Sequence, residues 1–280
     1  MKIKIISDST CDLPKELLEK FDISIVPLTV IKEDQAYSDG ITITTDEIFA
    51  HVAAGGSLCS TAAVNVLDYQ EKFAEFADKY DAVIHINISS ELSSSYQNAS
   101  LAADEFDNVV AIDSRNLSTG QGLVVLKACE LAKNATSVEE IKEKLIDYTA
   151  KVEASFLIDR LDYMVKGGRC SAVAALGANL LGLKPCIEVK DGKMSVVKKY
   201  RGNYAKSLAA YVKDRLNNRD ELDRKHLFVT HTPVSDECLK AVEAAVAENA
   251  DFENIYWSTA GCTISCHCGP GTLGVLFAKK

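Results

Sequence analysis

Along the first half of the chain, short runs of β-branched and apolar residues alternate with longer stretches whose apolar positions recur every three or four residues. Runs of the first kind cover 2–7, 82–88 and 109–113, and they predict strands. Stretches of the second kind follow Pro14 and cover 67–79, 95–103, 123–132 and 137–149, and they predict helices. Asp12 ahead of Pro14 is a usual helix-start signal. Thr44 with Glu47, and Ser137 with Glu140, stand at the spacing of a capping box. The helix begun at Thr44 is expected to stop at Gly55-Gly56. Segments 24–31 and 35–43 predict a hairpin around Lys32-Glu33-Asp34. Strand and helix alternating in this way need crossover connections, and so predict a largely parallel sheet.

Past residue 150 the pattern changes. A strand at 153–158 leads to two short helices on either side of Lys166-Gly167-Gly168-Arg169. A hairpin is expected to turn at Asp191-Gly192, between 186–190 and 193–199. Helices at 203–217 and 235–247 and strands at 226–231, 252–257 and 274–278 complete the chain. The expected architecture is α/β in two domains: 1–150 with a parallel sheet and a hairpin excursion near 24–43, and 151–280 with a mixed sheet. A length of 280 residues fits two domains of about 150 each.

Composition narrows the class. Hydrophobic residues at 47% and charged residues at 25% are ordinary for a globular chain and exclude collagen-like or disordered readings. A formal charge of −9 argues against non-specific binding to nucleic acid or to an anionic membrane. The start of the chain lacks the apolar run of a secretory signal, and the most apolar stretch, 172–183, is interrupted by Asn179 and stopped by Lys184-Pro185, too short to cross a bilayer. A cytoplasmic protein whose nine cysteines are reduced is expected. The charge is uneven. Between 184 and 215 nine basic residues face three acidic ones, leaving −15 elsewhere, so this segment is either a solvated basic face or a docking or phosphate-steering patch. Arg169 and Arg201 are the sharpest candidates for phosphate, because guanidinium binds it in a forked geometry.

The usual motifs fail on context. Gly269-Pro270-Gly271-Thr272-Leu273-Gly274 has dinucleotide-loop spacing, but too few residues follow it for a helix and an acidic strand. Gly177 and Gly182 have P-loop spacing, but Leu183 stands where lysine is needed. No G-x-S-x-G elbow occurs. Cys262, Cys266, His267 and Cys268 suggest zinc, yet no second local pair completes a site, and small buried thiols in a Gly-rich loop are the better reading.

The informative feature is hydroxyl-rich loops after strands: Ser7-Asp8-Ser9-Thr10, the run from Ser89 to Ser95, and Asp113-Ser114-Arg115. Parallel strands bring such loops to one sheet edge, where α/β proteins bind ligands. The loop from Ser57 to Thr61 precedes another helix, whose free N–H groups favour an anion. Each loop taken singly can be a helix cap; together they favour a site. Rich in hydroxyls and poor in Lys and Arg, it suits a carboxylate or a polyol better than a polyphosphate.

In order along the chain, Ser7-Asp8-Ser9, Tyr37-Ser38-Asp39-Gly40, Ser89-Ser90-x-Leu92-Ser93-x-x-Tyr96-Gln97, Asp113-Ser114-Arg115 with Gly120-Gln121-Gly122, Leu161-x-Tyr163-x-x-Lys166-Gly167-Gly168-Arg169, Leu183-Lys184-Pro185, Arg201-Gly202 and His267-x-Gly269-Pro270-Gly271 resemble the DegV family of bacterial fatty-acid-binding proteins. The resemblance covers nearly the whole chain. It implies two α/β domains with a long-chain fatty acid buried between them, and no other cofactor. It places the carboxylate against Thr61 and Ser93, with Ser60, Ser94 and His267 adjacent. It further implies a separate ATP-dependent fatty acid kinase that makes the acyl phosphate, with Arg169 and Arg201 steering phosphate or docking that partner. The protein itself would then be a carrier subunit rather than an enzyme; a stand-alone acyl hydrolase or transferase using Ser93 and His267 is the alternative. The chain departs from the family in Ala62-Ala63 after Thr61, and in Cys268 where the family has threonine. The apolar stretch 172–183 is expected to wall the tail as a helix.

Overall fold

The computed structural model describes residues 1–175 and 182–280. Strand β1 (Ile3–Asp8) is followed by a single 3-10 turn (Ser9–Cys11), α1 (Lys15–Lys20), β2 (Ser24–Val26), β3 (Thr29–Lys32) and β4 (Gln35–Ser38). Next come α2 (Thr45–Ala53), β5 (Ser60–Ala62), α3 (Val66–Ala77), β6 (Ala82–Asn87), α4 (Ser95–Ala103) and β7 (Val109–Asp113). Helices α5 (Ser118–Ala132) and α6 (Val138–Thr149) lead to β8 (Val152–Leu157), the short α7 (Asp162–Gly167) and α8 (Ser171–Ala174), and the hairpin β9 (Leu183–Lys190) and β10 (Lys193–Arg201). The chain closes with α9 (Tyr204–Leu216), β11 (Leu222–His231), α10 (Asp236–Asn249), β12 (Asn254–Thr259), α11 (Cys262–Cys268) and β13 (Leu273–Lys279).

The first half holds a four-stranded parallel sheet in the order β2-β1-β6-β7, as its strand–helix alternation predicts. The second half holds a six-stranded mixed sheet in the order β10-β9-β8-β13-β11-β12, with β11 and β12 its parallel pair. Both faces of the parallel sheet are covered, so its strands alternate between two cores. Ile6 and Val83 pack with Tyr69 and Phe73 of α3, whereas Ile5 and Ile84 pack against α1 and α5. One face of the mixed sheet packs on α9 and α10 through Leu208, Tyr211 and Val242. Its other face, through Phe156, Ile187 and Leu276, joins the same core as Ile5 and Ile84. Helix α5 therefore lies between the two sheets, and it is buried on nearly every side.

Several expectations shift in detail. Residues 24–26 pair in parallel with β1 rather than extending the hairpin, which is confined to β3 and β4. Asp12 does not cap α1; Pro14 holds the cap position, and Asp12, in the left-handed region at φ 49°, is turned into the interior. Thr61 lies on β5, an edge strand of a three-stranded sheet with β3 and β4, and α3 begins only at Val66, so Thr61 does not stand at the N-terminus of the helix that follows it. Residues 262–268 form helix α11 rather than a loop. Of the expected helix over 172–183, the described residues show α8 at its start and Leu183, at its end, as the first residue of β9; the part over 176–181 lies outside the described residues, as does Gly177 of the P-loop spacing. Both N-caps do start helices: Thr44 accepts from the Glu47 N–H at 3.3 Å and Ser137 from the Glu140 N–H at 3.1 Å, but only Glu47 reaches back to close its box, the Glu140 carboxylate being taken by Thr136 and Lys144. The Asp191-Gly192 turn has φ of 50° and 79°, the pair of positive values a tight hairpin turn requires.

Candidate functional site

An internal cavity of about 50 Å³ opens between the small β3–β4–β5 sheet, the loop after β6, α7, β10 and α11. Leu28, Ile88, Leu117, Met164, Met194 and Ile264 give it apolar walls. Its polar groups are few: Thr61 from β5, Ser93 from the loop after β6, Arg169 after α7, and Thr263 and His267 from α11. Of the residues singled out in the sequence, Thr61, Ser93, Arg169 and His267 are thus brought together. Ser60, Ser94 and Arg201 do not line the cavity. Ser60 and Ser94 are exposed neighbours of lining residues, and Arg201 is exposed at the end of β10 opposite Leu183.

Thr61 and His267, far apart in sequence, meet with Oγ1 and Nε2 2.7 Å apart. Burial, with a smaller contribution from the Arg169 charge, pushes the His267 imidazole down to about 4, so the ring is neutral at pH 7. Its Nδ1 has no hydrogen-bond partner among the described residues and faces Gly167, where a Cβ would come within 2.4 Å of that nitrogen. Placing the one ring proton on Nε2 gives a donated bond to Thr61 and frees the Thr61 hydroxyl proton for a ligand; the tautomer is assigned from this network. Lys166 of α7 donates to the Leu58 carbonyl at 3.2 Å, tying the strand that carries Thr61 to the helix beside His267. Arg169 is exposed, with Nη1 donating to the Gly167 carbonyl at 2.7 Å.

Ser93 is held differently. Its hydroxyl lies 2.9 Å from that of Ser95 and accepts from the Ser95 N–H at 3.2 Å. Below Ser95, Tyr69 donates to the Asp8 carboxylate at 2.7 Å. That buried carboxylate also receives the Asn87 amide, the Ile88 N–H at 3.0 Å and His85 Nε2 at 3.1 Å. The other hydroxyl loops serve the scaffold. Ser7 donates to the Ile86 carbonyl, Thr10 to Gln121 and Ser114 to the Asn116 carbonyl, all of them buried. His267 pairs with Thr61 and Ser93 with Ser95, so Ser93 and His267 do not form the Ser–His pair a hydrolase needs.

Two acids anchor α11 from the first half of the chain. Asp39 accepts the N–H groups of Cys262 at 2.9 Å and Thr263 at 3.2 Å, and Asp12 accepts that of Gly261 at 2.9 Å and the Ser118 hydroxyl at 2.6 Å. Burial raises Asp12 to about 8. The cysteines of α11 face the interior: Cys262 and Cys266 pack with Val30 and Ile48, and burial pushes the Cys262 and Cys268 thiols up to about 12. All nine cysteines are buried and unpaired, and among the described residues no group of three or more His, Cys, Asp or Glu side chains is placed to hold a metal ion.

A second, smaller cavity of about 20 Å³ lies behind the first, between α5 and the mixed sheet, and shares Leu117, Ile264 and Cys268 with it as a common wall. Its threonines Thr230, Thr232 and Thr272 are hydrogen-bonded to the protein, so it is apolar in effect. Met164, Met194, Leu117 and Thr263 carry no local signal that marks them as lining residues; the spacing of Thr263 and His267, four apart on one helix face, becomes a signal only once 262–268 is read as helix. Four of the nine basic residues of the segment are paired locally: Lys184 with Asp159, Lys193 with Glu91, Lys198 with Asp214, and Arg215 with Glu153 and Glu188.

A small cavity with apolar walls and a few hydroxyls beside a neutral imidazole suits an amphipathic small molecule. The family model described as an uncharacterised protein, DegV family, matches residues 2–280, and the chain belongs to the DegV family. A DegV domain-containing protein of Clostridium acetobutylicum is 35% identical over 100% of this chain and 99% of its own. Among solved structures, a DegV family protein from Thermus thermophilus described for its fatty acid binding superposes with a TM-score of 0.92, at 28% identity and 100% coverage of both chains. A stearic acid-binding protein from Eubacterium ventriosum superposes with a TM-score of 0.84 at 30% identity, covering 99% of this chain and 98% of that one. Among the described residues no helix is long and apolar enough to cross a membrane.

Proposed function

We propose that this protein binds a long-chain fatty acid in the cavity between its two sheets, with the carboxylate at Thr61, Ser93 and His267 and the tail among the apolar walls. The observation that carries this reading is that Thr61, Ser93, Arg169 and His267 all line one cavity whose walls are mostly apolar. Hydroxyl donors beside a neutral imidazole suit a carboxylate, which only accepts hydrogen bonds when ionised. The tail supplies most of the affinity. Each buried methylene contributes about 0.8 kcal/mol, so about 14 of them contribute about 11 kcal/mol before the costs of binding. Each hydrogen bond to the charged head adds about 1.5–3 kcal/mol and fixes which end faces outward.

The tail runs past Leu117, Ile264 and Cys268 into the second cavity. A water-sized group needs about 10–15 Å³, so the two spaces as they stand hold only a few such groups, and a long acid opens them by moving side chains. Met164 and Met194 are suited to that, being unbranched and adaptable. With its carboxylate at the end where Arg169 is exposed, the acid is presented to a separate ATP-dependent kinase. That partner transfers the γ-phosphoryl group of ATP to a carboxylate oxygen, giving acyl phosphate and ADP, while this chain binds and orients. Exposed Arg169 and Arg201 face the partner or its phosphates. Native mass spectrometry of protein purified from lipid-replete cells tests the reading: one bound long-chain acid per chain is expected, and a chain that stays empty even after incubation with stearate contradicts it.

A further inference from the structure

Thr263 lies one turn before His267 on the same face of α11, and its side chain lines the same cavity. It is 4% exposed, and its hydroxyl has no hydrogen-bond partner among the described residues. The cause is local. Asp39 already takes the Thr263 N–H, so the hydroxyl has no capping duty. Four residues earlier the chain is at Thr259, the end of strand β12, so no helical carbonyl lies behind the hydroxyl to receive it. A buried hydroxyl left unpaired is destabilising, and in a native structure such a group calls for an explanation, of which a ligand in the cavity it lines is one.

We infer that Thr263 is a third hydroxyl donor to the ligand's carboxyl group, beside Thr61 and Ser93. This rests on the fatty-acid reading of the cavity. Threonine in a helix populates two χ1 rotamers, so a rotation about Cα–Cβ exchanges methyl for hydroxyl at the cavity face. A carboxylate offers about four lone-pair sites; Thr61 and Ser93 use two, and Thr263 takes another from the direction of the α11 N-terminus. The ligand head then satisfies a group that the empty protein leaves unsatisfied, which favours free acids over their esters.

The test is Thr263→Val, which keeps the shape and removes the hydroxyl, with Thr263→Ser as the conservative variant. Affinities for stearate and for methyl stearate are measured by competition against a fluorescent acid, and melting temperatures are taken with and without stearate. Thr263→Val is expected to bind stearate about tenfold more weakly, to change little toward methyl stearate, and to melt higher than wild type when empty because the orphan hydroxyl is gone. Thr263→Ser is expected to restore stearate binding. A purely structural threonine would instead shift both ligands together or lower the melting temperature of the empty protein. An unchanged ratio of stearate to ester affinity in Thr263→Val overturns the inference while leaving the fatty-acid reading standing; wild-type protein that binds neither ligand overturns both.

Discussion

The two sides of the cavity differ in where their unpaired polar groups lie. On the side of the parallel sheet, Asp8 receives Tyr69, His85, Asn87 and the Ile88 N–H, and the loop above it fixes Ser93 through Ser95. On the side of α11, Asp39 and Asp12 satisfy the backbone at the start of the helix, yet Thr263 Oγ1 and His267 Nδ1 are left without partners among the described residues. The hydrogen bonds to Asp8 hold a loop in place, and although His85 Nδ1 and Asn87 Oδ1 of that cluster also have no partner among the described residues, neither residue lines the cavity. The Thr263 hydroxyl does line it, so its unpaired donor costs stability in the empty protein and leaves capacity for a ligand. A polar residue near a cavity is therefore read by what it lacks as much as by where it lies.

The contrast can be broken first at Asp8. Asp8→Asn turns an N–H₂ toward groups that donate, and is expected to lower unfolding free energy by about 3 kcal/mol. Denaturant unfolding of the empty protein measures it, and a loss under about 1 kcal/mol would mean the Asp8 cluster does not brace the sheet. A smaller effect is expected from pH. The unfolded-state imidazole titrates near its ordinary 6.5 and His267 in the fold near 4, so between these values the unfolded chain binds the extra proton. The empty protein accordingly gains on the order of 2 kcal/mol from this group as pH rises from about 4 to 6.5. His267→Gln should flatten that rise; an unaltered pH profile in the variant would show that His267 is not held neutral.

Much of the scaffold is legible along the chain because its determinants are local. The N-caps at Thr44 and Ser137 and the Asp191-Gly192 turn act within four residues, and each element stands where they put it. What is hidden depends on distant partners. Helix α11 is poor in helix-favouring residues and is started by Asp39 and Asp12, which belong to the other end of the sequence. The first turns of α5 are masked by Gly120 and Gly122, ordinarily weak in helices. Here Gly122 sits where a Cβ would approach the Cys11 carbonyl to 2.9 Å and Leu13 to 2.7 Å, so the close packing of α5 under the 3-10 turn requires glycine. The candidate site divides the same way. Ser93 follows from a strand-end loop, whereas the contact of Thr61 with His267 was expected only from family resemblance, since no local rule brings those two residues together. The strand-end rule also over-reached, because Ser7, Thr10 and Ser114 spend their hydroxyls inside the scaffold.

The central claim is that hydroxyls facing the cavity carry the ligand head while their exposed sequence neighbours do not. Stearate affinity measured side by side in Thr61→Val, Ser93→Ala, Ser60→Ala and Ser94→Ala tests it most directly. The account predicts about tenfold weaker binding in each of the first two and wild-type binding in the last two. Equal losses at all four positions, or losses confined to Ser60 and Ser94, would contradict it.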